Sequence, residues 1–362
     1  MIYRAICGCV IAALAAASCG TAGAAEPVDG PPDAWAQHQA ISQTTQVLFR
    51  AGDFATLEKQ AADYRGDAAR TVSGYPSLDL FYLSFDGYAP SGDVDDPRIG
   101  VVKHWIAAYP RSATPHIVMG ILLKDQALAF GQLAHTSGVA GTKALLDTAP
   151  EKFVRYLSDA EHFLKSHDAL LRDDPFYYRL RIEIASLRGA DEPELMNLYM
   201  TGQNRAPANY GLAYQALIDL AGKWNYDEAR IDAFISQAAD AARKQEGDSF
   251  YVNLYWWMSV EHYKWKLFDE VKADWPRMRR GMDDMLKRFP GPYNANRYAL
   301  MACLAGDRGT TRVMLDQVGR AADPDVWQAR QYIDQCWHWS HGGSGQPLGS
   351  LAQFVPELGE QL

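Results

Sequence analysis

The sequence predicts an all-α protein, and three observations support this fold class. Turn signals recur about every fifteen to twenty-five residues. No stretch alternates apolar and polar residues as a half-buried strand does. Segments of helix, tight turn and helix follow one another in units of about thirty residues. We therefore expect an irregular array of antiparallel helix pairs, whose stacking builds one continuous core.

The first helices are marked by the residues at their ends. Residues 33–50 have a helical pattern that stops at Gly52. Asp53 then has the position of an N-cap for a helix over 54–72, because its side chain can accept a free backbone N–H of the first turn. Three Asp-Pro pairs repeat this signal, with Pro at the first helical position, where no hydrogen bond is lost. They are Asp96-Pro97, Asp174-Pro175 and Asp323-Pro324.

Two helices in the second half are expected to pack differently. The helix over 227–245 has one apolar stripe, formed by Ile231, Phe234, Ile235, Ala238, Ala239 and Ala242. The helix over 248–266 has aromatic residues around its circumference, which predicts burial on more than one side. These residues are Phe250, Tyr251, Tyr255, Trp256, Trp257, Tyr263 and Trp265.

Residues 291–320 show the repeating unit best. An apolar helical pattern starts after Pro292, breaks at Gly306-Asp307, and resumes with Val313 and Leu315. This unit has the size of one tetratricopeptide-like repeat, although no strict consensus recurs along the chain. The predicted architecture is therefore a tetratricopeptide-like α-solenoid.

Residues 1–25 have the pattern of a secretory signal peptide. Arg4 precedes a long apolar run, and small residues with an A-x-A ending place cleavage after Ala24 or Ala25. An uncleaved membrane anchor is one alternative. A lipoprotein is another, because Ala16-Ala17-Ser18-Cys19 resembles the bacterial lipobox, in which the cysteine is acylated.

Three parts of the chain follow from this interpretation. Residues 1–25 are the signal peptide, 26–341 the helical repeat domain, and 342–362 a C-terminal tail whose Gly- and Ser-rich start predicts flexibility. We expect a periplasmic or secreted bacterial protein, which contacts a membrane only if Cys19 is lipidated. The chain has 35 Lys and Arg against 44 Asp and Glu, so its formal net charge of -9 argues against nucleic acid as a partner.

Cysteine usage agrees with export. Three of the five cysteines precede residue 26, which leaves Cys303 and Cys336 as a pair in the mature chain. In an oxidising compartment such a pair predicts a disulfide. The alternative is two buried thiols on neighbouring helices.

Several segments resemble a known bacterial family. They include Leu48-Phe49-Arg50-Ala51-Gly52-Asp53-Phe54, Tyr109-Pro110-Arg111-Ser112, Asn296-Arg297-Tyr298-Ala299 and Cys336-Trp337. Over most of residues 40–340 the chain is similar to the family called domain of unknown function 4034. That resemblance implies a tetratricopeptide-like helical fold. It implies no known activity, so it assigns no functional residues.

Motifs for catalysis or cofactors are absent from the sequence. There is no H-E-x-x-H, P-loop or dinucleotide G-x-G-x-x-G, and we expect no cofactor and no metal. His338 and His341 with Cys336 provide too few ligands for a typical zinc site. One catalytic alternative stays open, because Glu261 in the aromatic helix has the residue type of the buried acid in an all-helical cell-wall glycan hydrolase. An ion pair of Glu261 with a neighbouring helix is the simpler interpretation.

The abundant aromatic residues favour a binding function. Tyr251, Tyr255, His262 and Trp265 fall on one helical stripe, and rings on a concave face are typical of peptide or glycan recognition. The competing interpretation is that these rings fill the joints between stacked helices. We expect an exported binding or scaffold protein that offers a curved surface to a protein, a peptide or an envelope polymer.

Overall fold

The computed structural model describes most of the chain downstream of the predicted leader. The described residues are 34–66, 69–87, 96–135, 143–224, 227–259, 266–268, 273–319 and 322–351. The predicted signal peptide, Cys19, Glu261, His262 and Trp265 lie outside the described residues. Of the predicted tail, residues 342–351 are described, and Leu348 there is buried in the core.

The fold is all-α, as predicted. The described residues contain no β-strand, and one isolated antiparallel bridge joins Arg70 to Pro76. The helices are α1 (Ala34–Ala51), α2 (Phe54–Tyr64), α3 (Ser77–Leu83), α4 (Pro97–Ala108), α5 (Ala113–His135), α6 (Lys143–Ser166), α7 (Asp168–Leu171), α8 (Pro175–Arg188), α9 (Glu192–Arg205), α10 (Tyr210–Trp224), α11 (Glu228–Glu246), α12 (Ser249–Met258), α13 (Trp275–Arg288), α14 (Pro292–Leu304), α15 (Arg308–Val318), α16 (Pro324–Trp327), α17 (Arg330–Ser340) and α18 (Leu348–Leu351). None of these helices is long and apolar enough to cross a bilayer.

The predicted aspartate caps are confirmed. The Asp53 carboxylate accepts the backbone N–H of Thr56 at 3.1 Å and opens α2. The carboxylates that open α4, α8 and α16 accept the N–H groups of Arg98, Phe176 and Asp325 in the same way. The prediction that the second helix continues to residue 72 is wrong. It ends at Tyr64, because the backbone at Thr71 is bonded to Tyr75 within a loop.

Packing follows chain order. Most contacts between helices join elements one or two positions apart, such as α5 with α6, α8 with α10, and α14 with α15. The predicted hairpin over 291–320 is confirmed as α14 and α15, with Gly306 in the left-handed region (φ 72°) at the turn. Contact mainly between near neighbours in the chain is the pattern of helical repeats. The curved solenoid shape stays a prediction.

Aromatic rings fill many joints between helices. Phe54 of α2 stacks on Trp105 of α4 with ring centroids 5.4 Å apart. Tyr199 of α9 meets Phe234 of α11 at 4.8 Å. Large rings suit these joints because each buries a wide apolar area at low conformational cost.

The predicted disulfide is confirmed. Cys303 of α14 and Cys336 of α17 are bonded, and both side chains are fully buried. The bond ties the last long helix to the array, since the two residues are 33 positions apart.

Replacing both cysteines with serine (C303S/C336S) is expected to lower the free energy of unfolding by about 3 to 4 kcal/mol, because the closed loop restricts the unfolded chain. Urea denaturation followed by circular dichroism measures the change. Dithiothreitol should shift the wild type to the same midpoint and leave the double variant unchanged. Equal stability of the oxidised and reduced wild type would contradict this prediction.

Candidate functional site

The two described members of the predicted ligand stripe, Tyr251 and Tyr255, are buried. Tyr251 and Tyr255 of α12 are 1% and 0% exposed. Their hydroxyls donate to Asp232 Oδ1 of α11 at 3.3 and 2.5 Å. Their observed contacts therefore hold α12 against α11.

A different face of α12 reaches a cavity. Asn253, Trp256 and Trp257 lie at i, i+3 and i+4 on this face, and all three line a cavity of about 190 Å³. We call it the aromatic cavity, since five of its lining residues are tyrosine or tryptophan. It is lined by His38, Ser73, Gly74, Tyr75, Tyr210, Asn253, Trp256, Trp257, Tyr293 and Arg297.

One wall of the aromatic cavity comes from a loop near the start of the described chain. This loop, residues 69–76, is closed by the backbone N–H of Thr71, which donates to the Tyr75 carbonyl at 2.9 Å. Gly74 has φ 88°, and a Cβ there would lie 2.8 Å from the Phe289 ring. Glycine is required at this position, because a side chain would be strained and would collide with Phe289, the residue after α13.

A buried carboxylate fixes the 69–76 loop against three distant helices. Glu246 at the end of α11 pairs with Arg70 of the loop at 3.2 Å and with Arg288 of α13. It also accepts the hydroxyl of Tyr210 of α10 at 2.6 Å. Burial first, and the Glu246 charge second, raise the pKa of Tyr210 above its usual range, so the hydroxyl stays a donor. We call these four residues the Glu246 cluster.

Ring contacts complete the walls. Tyr75 stacks on Trp257 with centroids 5.5 Å apart, and Trp257 also meets Tyr214 at 4.3 Å. Burial raises the pKa of Tyr75 to about 12. His38, Tyr75, Trp257 and Tyr293 are partly exposed, which indicates that the cavity reaches solvent on their side.

Arg297 of α14 brings a positive charge to the cavity. Its guanidinium lies over the Trp256 ring at 4.6 Å and near the Tyr293 ring at 5.6 Å. It donates to Asn253 Oδ1 at 3.0 Å and to Asn294 Oδ1 at 3.3 Å. Burial lowers its pKa from the ordinary value. These partners are neutral, so they solvate the guanidinium without balancing its charge.

Ser73 and His38 are the lining residues that most resemble a nucleophile and its base. His38 Nε2 lies 3.4 Å from Ser73 Oγ, which is longer than the contact that proton transfer uses. Ser73 Oγ also shares a hydrogen bond with Thr71 Oγ1 at 2.8 Å. The described part of the chain holds no group of three or more His, Cys, Asp or Glu side chains placed to bind a metal.

Sequence patterns did not single out the cavity. Trp256 and Trp257 were recognised only as members of an aromatic helix, and Arg297 only within the family resemblance. The i, i+3, i+4 spacing of Asn253, Trp256 and Trp257 was the one local signal available. A comparison with family models, curated proteins and solved structures found no match to the chain. The resemblance to domain of unknown function 4034 stays a prediction.

Replacing Glu246 with glutamine is expected to cost about 3 to 5 kcal/mol of unfolding free energy, because two guanidinium groups then lose their buried counter-charge. Urea denaturation measures this loss. Asp63→Asn is the matched control, since it removes an exposed partner of Lys59 and should change stability by about 0.5 kcal/mol or less. Similar effects of the two variants would show that the Glu246 cluster does not hold the loop.

Proposed function

We propose that this protein is an exported binding protein whose aromatic cavity holds a ring-bearing group. The observation that carries the proposal is the cavity itself, in which Tyr75, Trp256 and Trp257 line a space of about 190 Å³. That volume equals the share of roughly six water molecules, at about 30 Å³ each. It suits a single ring better than a drug-sized molecule.

The ring belongs to a small molecule or to the end or side group of a larger partner. Partly exposed residues at the cavity support access from solvent. A protein, a peptide or an envelope polymer that places one ring in the cavity is the occupant that fits the proposed scaffold role. A helical array supplies the extended surface for the rest of such a partner.

Binding without conversion is favoured over hydrolysis. The rings and the guanidinium that line the cavity are groups that typically hold a ligand, and they support binding. The alternative of a glycan hydrolase depends on Glu261, which lies outside the described residues and gains no support from the cavity.

Export to the periplasm or the outside of the cell is part of the proposal. The signal-peptide pattern of residues 1–25 supports it. The disulfide between Cys303 and Cys336 supports it independently, because such bonds persist in oxidising compartments.

Saturation-transfer NMR with phenol and N-acetylglucosamine tests the cavity with two neutral rings. The wild type should bind at least one probe. Trp257→Ala should weaken that binding between about twofold and about tenfold, since an aromatic pair contributes about 0.5–1.5 kcal/mol. Trp337→Ala, which removes an exposed indole from α17, is the matched control and should leave binding unchanged.

Three outcomes would contradict this proposal. The absence of binding by either probe would remove the cavity as the recognition site, as would equal losses in both tryptophan variants. New product resonances during the measurement would overturn the claim that the ligand is not converted.

Expression in a Gram-negative host tests the export. Intact mass and N-terminal sequencing should show a mature chain that begins at Ala25 or Glu26, without added lipid. A chain that begins at an acylated Cys19 would favour the lipoprotein instead. A chain that keeps Met1 and is recovered from the cell envelope would favour the uncleaved membrane anchor.

A further inference from the structure

Arg297 differs from the buried lysine and arginine residues Lys124 and Arg179. Lys124 is 1% exposed and has Asp86 and Glu183 within 2.9 Å. Arg179 is 4% exposed and pairs with Asp79 at 3.5 Å. Arg297 is 2% exposed, and no described carboxylate lies within ion-pair distance. A buried charge without a counter-charge costs free energy that the protein alone does not recover.

The guanidinium of Arg297 also has unused hydrogen-bonding capacity. Its Nε is buried and has no acceptor in the described part of the chain. Its two terminal nitrogens donate to Asn253, to Asn294 and weakly to the sulfur of Met285. Buried donors of this kind are rare in folded proteins, and a missing ligand is one of their ordinary explanations.

Asn253 provides a second donor at the same place. Its Oδ1 accepts from Arg297, so its Nδ2 group points away from the guanidinium. No hydrogen bond from Nδ2 occurs within the described residues, although Asn253 lines the aromatic cavity. The residues that line the cavity include no aspartate or glutamate. The cavity therefore offers a cation and a neutral donor, with no acid to compete for them.

The charge count selects the class of anion. One guanidinium balances one negative charge, and a phosphate monoester carries close to two at neutral pH. A carboxylate carries one, and its two oxygens match the planar fork of an arginine. The rings around Arg297 then hold the apolar part of the same ligand.

We propose that the aromatic cavity binds a ring-bearing monocarboxylate, with Arg297 as the counter-ion and Asn253 as an additional donor. This inference rests on the proposed binding function and specifies its ligand class. The carboxylate comes from a free aromatic acid, from the C-terminus of a peptide or from an acidic sugar of a polymer.

The test is calorimetric titration of the full mature protein in a buffer without carboxylate or phosphate. Benzoate and benzamide form the decisive pair, since they share a ring and differ in charge. The wild type should bind benzoate at least about tenfold more tightly than benzamide, a difference of about 1.4 kcal/mol. N-Acetylphenylalanine and glucuronate, titrated in parallel, represent the peptide C-terminus and the acidic sugar, and the tightest of the three acids identifies the source.

Two variants separate charge from shape. Arg297→Met keeps a long side chain without charge, and the preference for benzoate over benzamide should disappear. Arg297→Lys keeps the charge without the planar fork, and it should retain part of the preference. In the absence of ligand, Arg297→Met should be as stable as the wild type or more stable, because an unbalanced buried charge is removed.

The outcomes are distinguishable. Equal binding of benzoate and benzamide by the wild type overturns the carboxylate inference and leaves the proposed ring binding intact. If none of the three acids binds while phenol or N-acetylglucosamine does, the carboxylate inference is likewise overturned and the proposed ring binding stays intact. A failure of every probe overturns both proposals. A strong loss of stability in ligand-free Arg297→Met assigns the guanidinium a structural role and overturns the inference as well.

Discussion

The contact between Glu246 and Arg70 is the interaction on which the rest of the described structure depends. Helical arrays hold together through neighbours in chain order, and here most helix contacts span one or two elements. Glu246 and Arg70 are instead 176 positions apart. Because the ion pair is buried, it keeps its strength where an exposed pair would be screened by water. It fixes the 69–76 loop against the second half of the array, and the aromatic cavity lies where these two parts meet.

The surroundings of Arg297 differ from those of the paired buried charges in the described residues. At Glu246, Lys124 and Arg179, charges of opposite sign meet, so burial is compensated locally. At Arg297 the shell consists of rings and amides, which orient the guanidinium without neutralising it. Proteins accept such local cost where a ligand supplies what is missing. The exception at Arg297 is informative because charges elsewhere in the same core are paired.

Local patterns were sufficient for most of the fold and for little of the site. Caps such as Asp53 and Asp174 act within three residues of the chain, so they are readable from spacing alone. The disulfide was predictable because two cysteines remain after the predicted signal peptide and an exported chain lies in an oxidising compartment. The cavity depends on contacts such as Asn294 with the Ser73 carbonyl, 221 positions apart, which no periodicity encodes. The aromatic helix illustrates a related point: rings surround it, so the ring pattern alone does not show that Asn253, Trp256 and Trp257 line a cavity.

Tyr210 connects the Glu246 cluster with the proposed ligand site. Its hydroxyl belongs to the Glu246 cluster, and its ring lines the aromatic cavity. A ligand that packs on this ring therefore favours the arrangement in which the 69–76 loop is closed. Any ligand that binds only this folded arrangement stabilises it by mass action. If the cavity holds the proposed ligand, binding also stabilises the long-range contact between Glu246 and Arg70.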